Sequence, residues 1–170
     1  MQNYLPEELK KFKNISNMYD VYFIDLWGVI HNGIHLFKNA IIVLNELRKL
    51  KKKIILISNA PRSNTTVKQF LKKLNFDLNL VDILVTSGDV TKNYIQKNKN
   101  KIFYHLGPAK DDDLFEGVTN INSNINESDE IICTGLVDEI GSTFQIIKLT
   151  LKVGLLKKKF LYVLTLTRWY

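Results

Sequence analysis

The sequence is poor in the residues that staple small secreted domains. Its 170 residues include one cysteine, Cys133, and three prolines. One thiol makes no internal disulfide, and no Cys/His cluster has zinc-ligand spacing. No run approaches the roughly 18–20 uncharged apolar residues that a bilayer span needs, so no membrane role is expected. Met1–Lys13 is polar and charged, without an apolar run before a cleavage site, so no signal peptide is read there. The expected compartment is a reducing cytoplasm. Arginine is scarce as well, with 3 residues against 21 lysines. The net charge of +7 raises nucleic acid as a partner. Phosphate-reading surfaces, however, usually draw on the bidentate arginine fork. Only three alanines stand beside 17 asparagines and 19 isoleucines. Lys, Asn and Ile share A/T-rich codons, so the basic charge is read as codon bias and no nucleic-acid role is expected. A nucleic-acid binder would instead show affinity that falls steeply with salt.

What is present is globular: 45% hydrophobic and 24% charged, enough for one domain or a piece of a larger one. Residues 6–17 read as a weak amphipathic helix. Val21–Asp25 is a short apolar run ending in a carboxylate, the pattern of a buried strand. Trp27–Gly33 is a Gly-punctuated loop. Asn39–Lys51 has helical periodicity, and Lys53–Ser58 is a second buried strand. Asn64–Leu74 reads as a helix, Val81–Val85 as a strand closed by Thr86-Ser87-Gly88, and Asp89–Lys97 as a helix. Lys101–Leu106 is a fourth strand. Thr119–Glu130 reads as a polar surface loop, Glu130–Thr134 as a fifth strand, and Gln145–Leu156 as a helix.

Strand and helix alternate, which predicts an α/β fold with right-handed crossovers and a doubly wound parallel sheet. Ligands of such sheets bind beyond the carboxyl ends of the strands. Asp25, Ser58 and Thr86-Ser87-Gly88 all fall there. An Asp closing a buried strand before a Gly turn suits covalent phosphoryl or acyl chemistry, and loop amides nearby can cradle an anion. The competing reading of Asp25 is a turn cap. Ser58 and Asn59 add a hydroxyl and an amide for a phosphate oxygen; the competing reading of Ser58 is a loop start.

Together these segments resemble the haloacid dehalogenase superfamily of aspartate-nucleophile hydrolases, most closely its class IIA. Phe23–Gly33 (FIDLWGVIHNG) is similar to motif I, and Leu56–Arg62 (LISNAPR) to motif II. Val85–Gly88 resembles the third core strand and the approach to the cap. Tyr104–Pro108 and Ile132–Leu136 resemble strands of the inserted α/β cap. The likeness covers about residues 18–140 and implies a partial Rossmann-like core over 1–88 and a partial cap over 89–160. It implies a Mg²⁺-dependent, phosphatase-like hydrolase of a small phosphorylated metabolite. Asp25 would be the nucleophile, and its carboxylate and the Trp27 carbonyl would bind the metal. Ser58 would hold the transferring phosphoryl oxygen, with Asn59, Gly28 and Arg62 as further substrate-binding residues. Arg62 is equally read as a surface residue. Homodimerisation through the cap is expected of a full-length form.

Two departures qualify the resemblance. Family phosphatases carry a second Asp two residues after the nucleophile, as general acid and base; here that position is Trp27. His31 lies close in sequence and titrates near neutrality, so it is the candidate substitute, against the reading of a plain loop histidine. Trp27 also supports a different class of function, a non-catalytic phosphate-binding module. The second departure is the lack of the family's downstream Lys motif and paired-Asp motif, so the chain as written is expected to be inactive. A one-base shift near Phe160, with suitable synonymous codons, converts the last ten residues into Phe-Ile-Cys-Val-Asn-Pro-Asp-Thr-Val-Val. Asn-Pro-Asp resembles a hallmark of the class IIA cap. Residues 161–170 are therefore expected to be an out-of-frame tail.

Overall fold

The structure is a computed structural model and describes residues 12–135 together with the backbone of 160–163. Only the end of the expected helix over 6–17 falls within these residues, and there the chain makes a 3-10 turn, Phe12–Asn14. The expected helix over 145–156 lies outside the described residues, as do Lys157–Lys159 and residues 164–170.

Among the described residues, ten strands and helices follow in order: β1 (Val21–Asp25), α1 (Lys38–Lys49), β2 (Lys53–Ser58), α2 (Asn64–Lys73), β3 (Ile83–Thr86), α3 (Ser87–Lys97), β4 (Phe103–Leu106), β5 (Ile121–Asn122), β6 (Glu130–Cys133) and β7 (Phe160–Val163). The expected mixed α/β fold with parallel strands is present. The strands form two sheets, of order β1-β2-β3 and β5-β4-β6-β7, and every pairing is parallel.

Strand alternation explains how the first sheet is covered. Side chains two apart share a face, and the register aligns Tyr22 with Ile54, and Ile24 with Leu56 and Leu84. These residues join Leu44 and Leu47 of α1 and Val67 and Leu71 of α2 in one apolar cluster. Both crossover helices therefore pack on the same face. Each fully buried Leu contributes about 1.5–3 kcal/mol, and Leu44, Leu47, Leu56 and Leu71 are all sealed from solvent. The opposite face carries Val21, Phe23, Ile57, Ile83 and Val85, all exposed, with Phe23 at 66%. The described residues thus supply one side of the doubly wound arrangement, with β1 at the sheet edge.

Several boundaries shift for local reasons. β3 begins at Ile83 rather than Val81, because Leu78–Leu80 is a 3-10 turn. The Asp82 carboxylate accepts the Ile54 N–H at 2.7 Å and pairs with Arg48 at 2.9 Å. Those contacts hold its acidity stronger than usual. α3 starts at Ser87, not Asp89, because the Thr86 hydroxyl accepts the Asp89 N–H at 3.1 Å as an N-cap. α2 is capped in the same way by Ser63, which accepts the Thr66 N–H at 3.2 Å. The expected loop over 119–130 contains β5 and a 3-10 turn at Ile125–Glu127.

The second sheet has its own core. Ile95 of α3 packs with Phe103 and Ile132, so α3 runs from the end of the first sheet onto the second. Glu130 is almost completely buried yet fully partnered. It accepts from the Tyr94 hydroxyl at 3.0 Å and pairs with Lys101, as a buried charge must. The backbone of β7 pairs with β6 at the start of the stretch expected to be out of frame. The shifted reading also begins Phe-Ile-Cys-Val, so an apolar strand suits either frame.

Candidate active site

Parallel pairing brings the expected residues to one edge. Asp25 lies opposite Ile57, and Ser58 lies opposite Thr86. Adjacent strands are about 4.8 Å apart, so Asp25 and the Ser58 turn are neighbours at the carboxyl end of the sheet. Asp25 is exposed. One of its oxygens accepts the Leu26 N–H at 2.8 Å, which fixes the carboxylate and leaves its second oxygen for chemistry.

The loop after β1 is shaped by its own residues. Leu26 and Ile30 are buried anchors, and the Ile30 N–H bonds the Leu26 carbonyl at 2.8 Å. Gly28 has φ +76 and donates its N–H to the His31 carbonyl at 2.8 Å. A Cβ at Gly28 would meet nothing within 4 Å, so glycine is needed there for backbone conformation alone. Trp27 is 42% exposed.

His31 is placed for structure rather than proton transfer. It is 2% exposed. Its Nδ1 accepts the Gly33 N–H at 3.0 Å, which assigns the proton to Nε2. The ring lies edge-on to Phe70, with centroids 5.3 Å apart. Burial lowers its pKa, and the nearby Asp25 charge only partly opposes this. The plain loop-histidine reading fits this geometry.

The turn after β2 is held differently. The Ser58 hydroxyl accepts the Ala60 N–H at 3.2 Å, so its own proton stays available to a phosphoryl oxygen. Asn59 is exposed beside it. The Arg62 Nε lies 3.6 Å from Asp111, in the 3-10 segment Ala109–Phe115 after β4. Asp111 is 3% exposed, and burial raises its pKa against the pull of Thr134 and Arg62. The Thr66 hydroxyl donates to Asp113 at 2.8 Å. Residues of the second sheet's loop thus grip the turn that carries Ser58. Sequence reasoning missed Asp111 and Asp113, because nothing in their local pattern marks a contact some fifty residues away.

An oxygen donor set suits a hard cation, and the sequence expectation was Mg²⁺ held by Asp25 and the Trp27 carbonyl. Among the described residues no group of three or more His, Cys, Asp or Glu is arranged to hold a metal. One carboxylate and one carbonyl fit an ion that keeps several waters.

A parallel α/β sheet with Asp25 and the Ser58 turn at its carboxyl edge defines the class: a Rossmann-like core followed by a second α/β sheet. A model of the haloacid dehalogenase-like hydrolases matches residues 22–120. The chain belongs to that family. Among curated proteins there is no match. Among solved structures, a haloacid dehalogenase-like hydrolase from Brucella suis is 29% identical, with a TM-score of 0.80 over 95% of this chain and 58% of its own. The p-nitrophenyl phosphatase from Archaeoglobus fulgidus is 21% identical, with a TM-score of 0.67 over 88% of this chain and 56% of its own. A glycerol phosphate phosphatase from Mycobacterium tuberculosis, solved with magnesium, is 16% identical, with a TM-score of 0.61 over 89% and 45%. The chain therefore spans about half the length of these structures, between 45% and 58%. No described helix is long and apolar enough to cross a membrane.

Proposed function

We propose that the full-length, in-frame protein is a phosphatase-type hydrolase of a small phosphorylated metabolite, with Asp25 as the nucleophile, and that the 170-residue chain by itself does not turn over. The observation that carries this reading is the exposed Asp25 carboxylate, oriented by the Leu26 N–H and set beside the Ser58 turn. The free Asp25 oxygen attacks phosphorus, the ester P–O bond breaks, and its electron pair leaves with the alcohol oxygen. Water then attacks the aspartyl-phosphate, releasing inorganic phosphate and restoring the carboxylate. The Ser58 hydroxyl donates to a phosphoryl oxygen, while Ala60 holds the serine in place. Asn59 and Gly28 line the same edge, and Arg62 braces the turn through Asp111. Mg²⁺, as found with the mycobacterial neighbour, would be held by the Asp25 carboxylate and the Trp27 carbonyl and would supply charge neutralisation of the phosphoryl group.

Trp27 supplies no proton to the leaving oxygen, and His31 is buried with Nδ1 engaged. Esters of acidic alcohols, such as aryl phosphates, should therefore react faster than alkyl phosphates. The same feature favours a second reading, a phosphate-binding module without turnover. Hydrolysis of 4-nitrophenyl phosphate with Mg²⁺ by a full-length, in-frame form, compared between the wild type and Asp25→Asn, separates the two. Turnover lost in the variant supports the hydrolase. Phosphate binding without turnover in the wild type supports the module.

A further inference from the structure

The N-terminus of α3 clamps the Ser58 turn. The Ser87 hydroxyl donates to two carbonyl oxygens of that turn, Asn59 at 2.8 Å and Ala60 at 2.9 Å. The Gly88 N–H donates to the Ala60 carbonyl at 3.2 Å. A Cβ at Gly88 would lie 2.5–2.7 Å from the Arg62 backbone, so the helix approaches the turn as closely as glycine permits. The Asp89 carboxylate accepts the Asn64 N–H at 3.1 Å. Four consecutive residues, Thr86–Asp89, thus cap their own helix and fasten the neighbouring turn.

The electrostatic consequence is local. Carbonyl oxygens carry negative partial charge and repel an anion. The single Ser87 proton is shared between two of them and holds both on the α3 side of the turn. Preorganising a polar site in this way avoids reorganisation when charge arrives. α3 also packs through Ile95 onto the second sheet, so the same helix links that sheet to the turn.

We propose that Ser87 and Gly88 are positioning residues that hold the Ser58–Asn59–Ala60 turn in its phosphate-binding shape. This inference rests on the reading of that turn as the phosphate site. Its test uses the 170-residue chain and inorganic phosphate, with amide NMR shifts of residues 58–60 and the melting temperature as readouts. Ser87→Ala removes the shared hydrogen bond and should weaken phosphate binding by about three- to tenfold, with little change in melting temperature. Ser87→Thr keeps the hydroxyl and should restore binding to near the wild-type value. Ser87→Ala binding phosphate as tightly as the wild type overturns the proposal and leaves the phosphate site intact. A wild type whose turn amides do not respond to phosphate overturns both. Faster amide exchange in unliganded Ser87→Ala would then show that the clamp is structural only.

Discussion

The loop after β1 takes its shape from its own residues. Leu26, Gly28, His31 and Gly33 bond among themselves, and Leu26 and Ile30 pin the loop to the core. The turn after β2 takes its shape from elsewhere: Ser87, Gly88 and Asp89 on one side, Asp111 and Asp113 on the other. The two segments sit side by side on one sheet edge and divide the work. The self-held loop presents the proposed nucleophile, which need not move. The neighbour-held turn presents the proposed anion-binding groups, and its shape answers to α3 and to the second sheet. Disturbance of the second sheet should therefore reach phosphate binding before it reaches Asp25.

The comparison can be broken at either segment, and the largest effect is chemical. In a full-length, in-frame form, Asp25→Asn should lower aryl-phosphate turnover at least about a thousandfold, while phosphate still shifts the amides of residues 58–60. Steady-state kinetics and NMR on the same variant check both halves. Next is Gly88→Ala. Its methyl group would meet three backbone atoms of Arg62 that cannot rotate away. The cost should fall at the upper end of the about 1–3 kcal/mol typical of overpacking, read from urea unfolding. It should distort the turn and spare the loop after β1.

Gly28→Ala tests the self-held loop. The added methyl has open space, but φ +76 disfavours any L side chain. A loss of about 1–2 kcal/mol is expected, without the loss of phosphate-induced shifts at the turn. The smallest effect concerns pH. Burial lowers the folded-state pKa of His31 below 6.5, so the unfolded chain binds the proton more readily. The stability from keeping His31 neutral is present above about pH 6.5 and is lost as pH falls through its folded pKa. His105 is lowered for the same reason and acts with the same sign. His31→Asn should flatten in part the fall in melting temperature as pH drops below about 6.5, with the remainder belonging to His105.

Much of the core is legible in the sequence because its physics is local. Val21–Asp25 and Lys53–Ser58 are apolar runs ended by a polar residue, and both strands fall at those bounds. That pattern alone puts Asp25, Ser58 and Asn59 at one sheet edge. The alternation of elements implies parallel pairing but does not show that the strands divide into two sheets, since sheet membership depends on long-range packing. Arg62 is a substrate-binding candidate by resemblance, yet its partner Asp111 is invisible in the sequence: the two meet only because the chain returns after β4. Thr86-Ser87-Gly88 reads as the end of a strand. The Thr86-x-x-Asp89 spacing is that of a capping box and would have marked α3 as starting there. That Ser87 reaches the neighbouring turn carries no sequence signature.

The most direct test of the account is to trap the covalent intermediate. A full-length, in-frame form is mixed with 4-nitrophenyl phosphate and Mg²⁺, quenched in acid, and mapped by peptide mass spectrometry. The account predicts phosphate on Asp25 and nowhere else, absent in Asp25→Asn. Ester consumption with phosphate on a different residue, or with Asp25→Asn consuming ester as fast as the wild type, would contradict it.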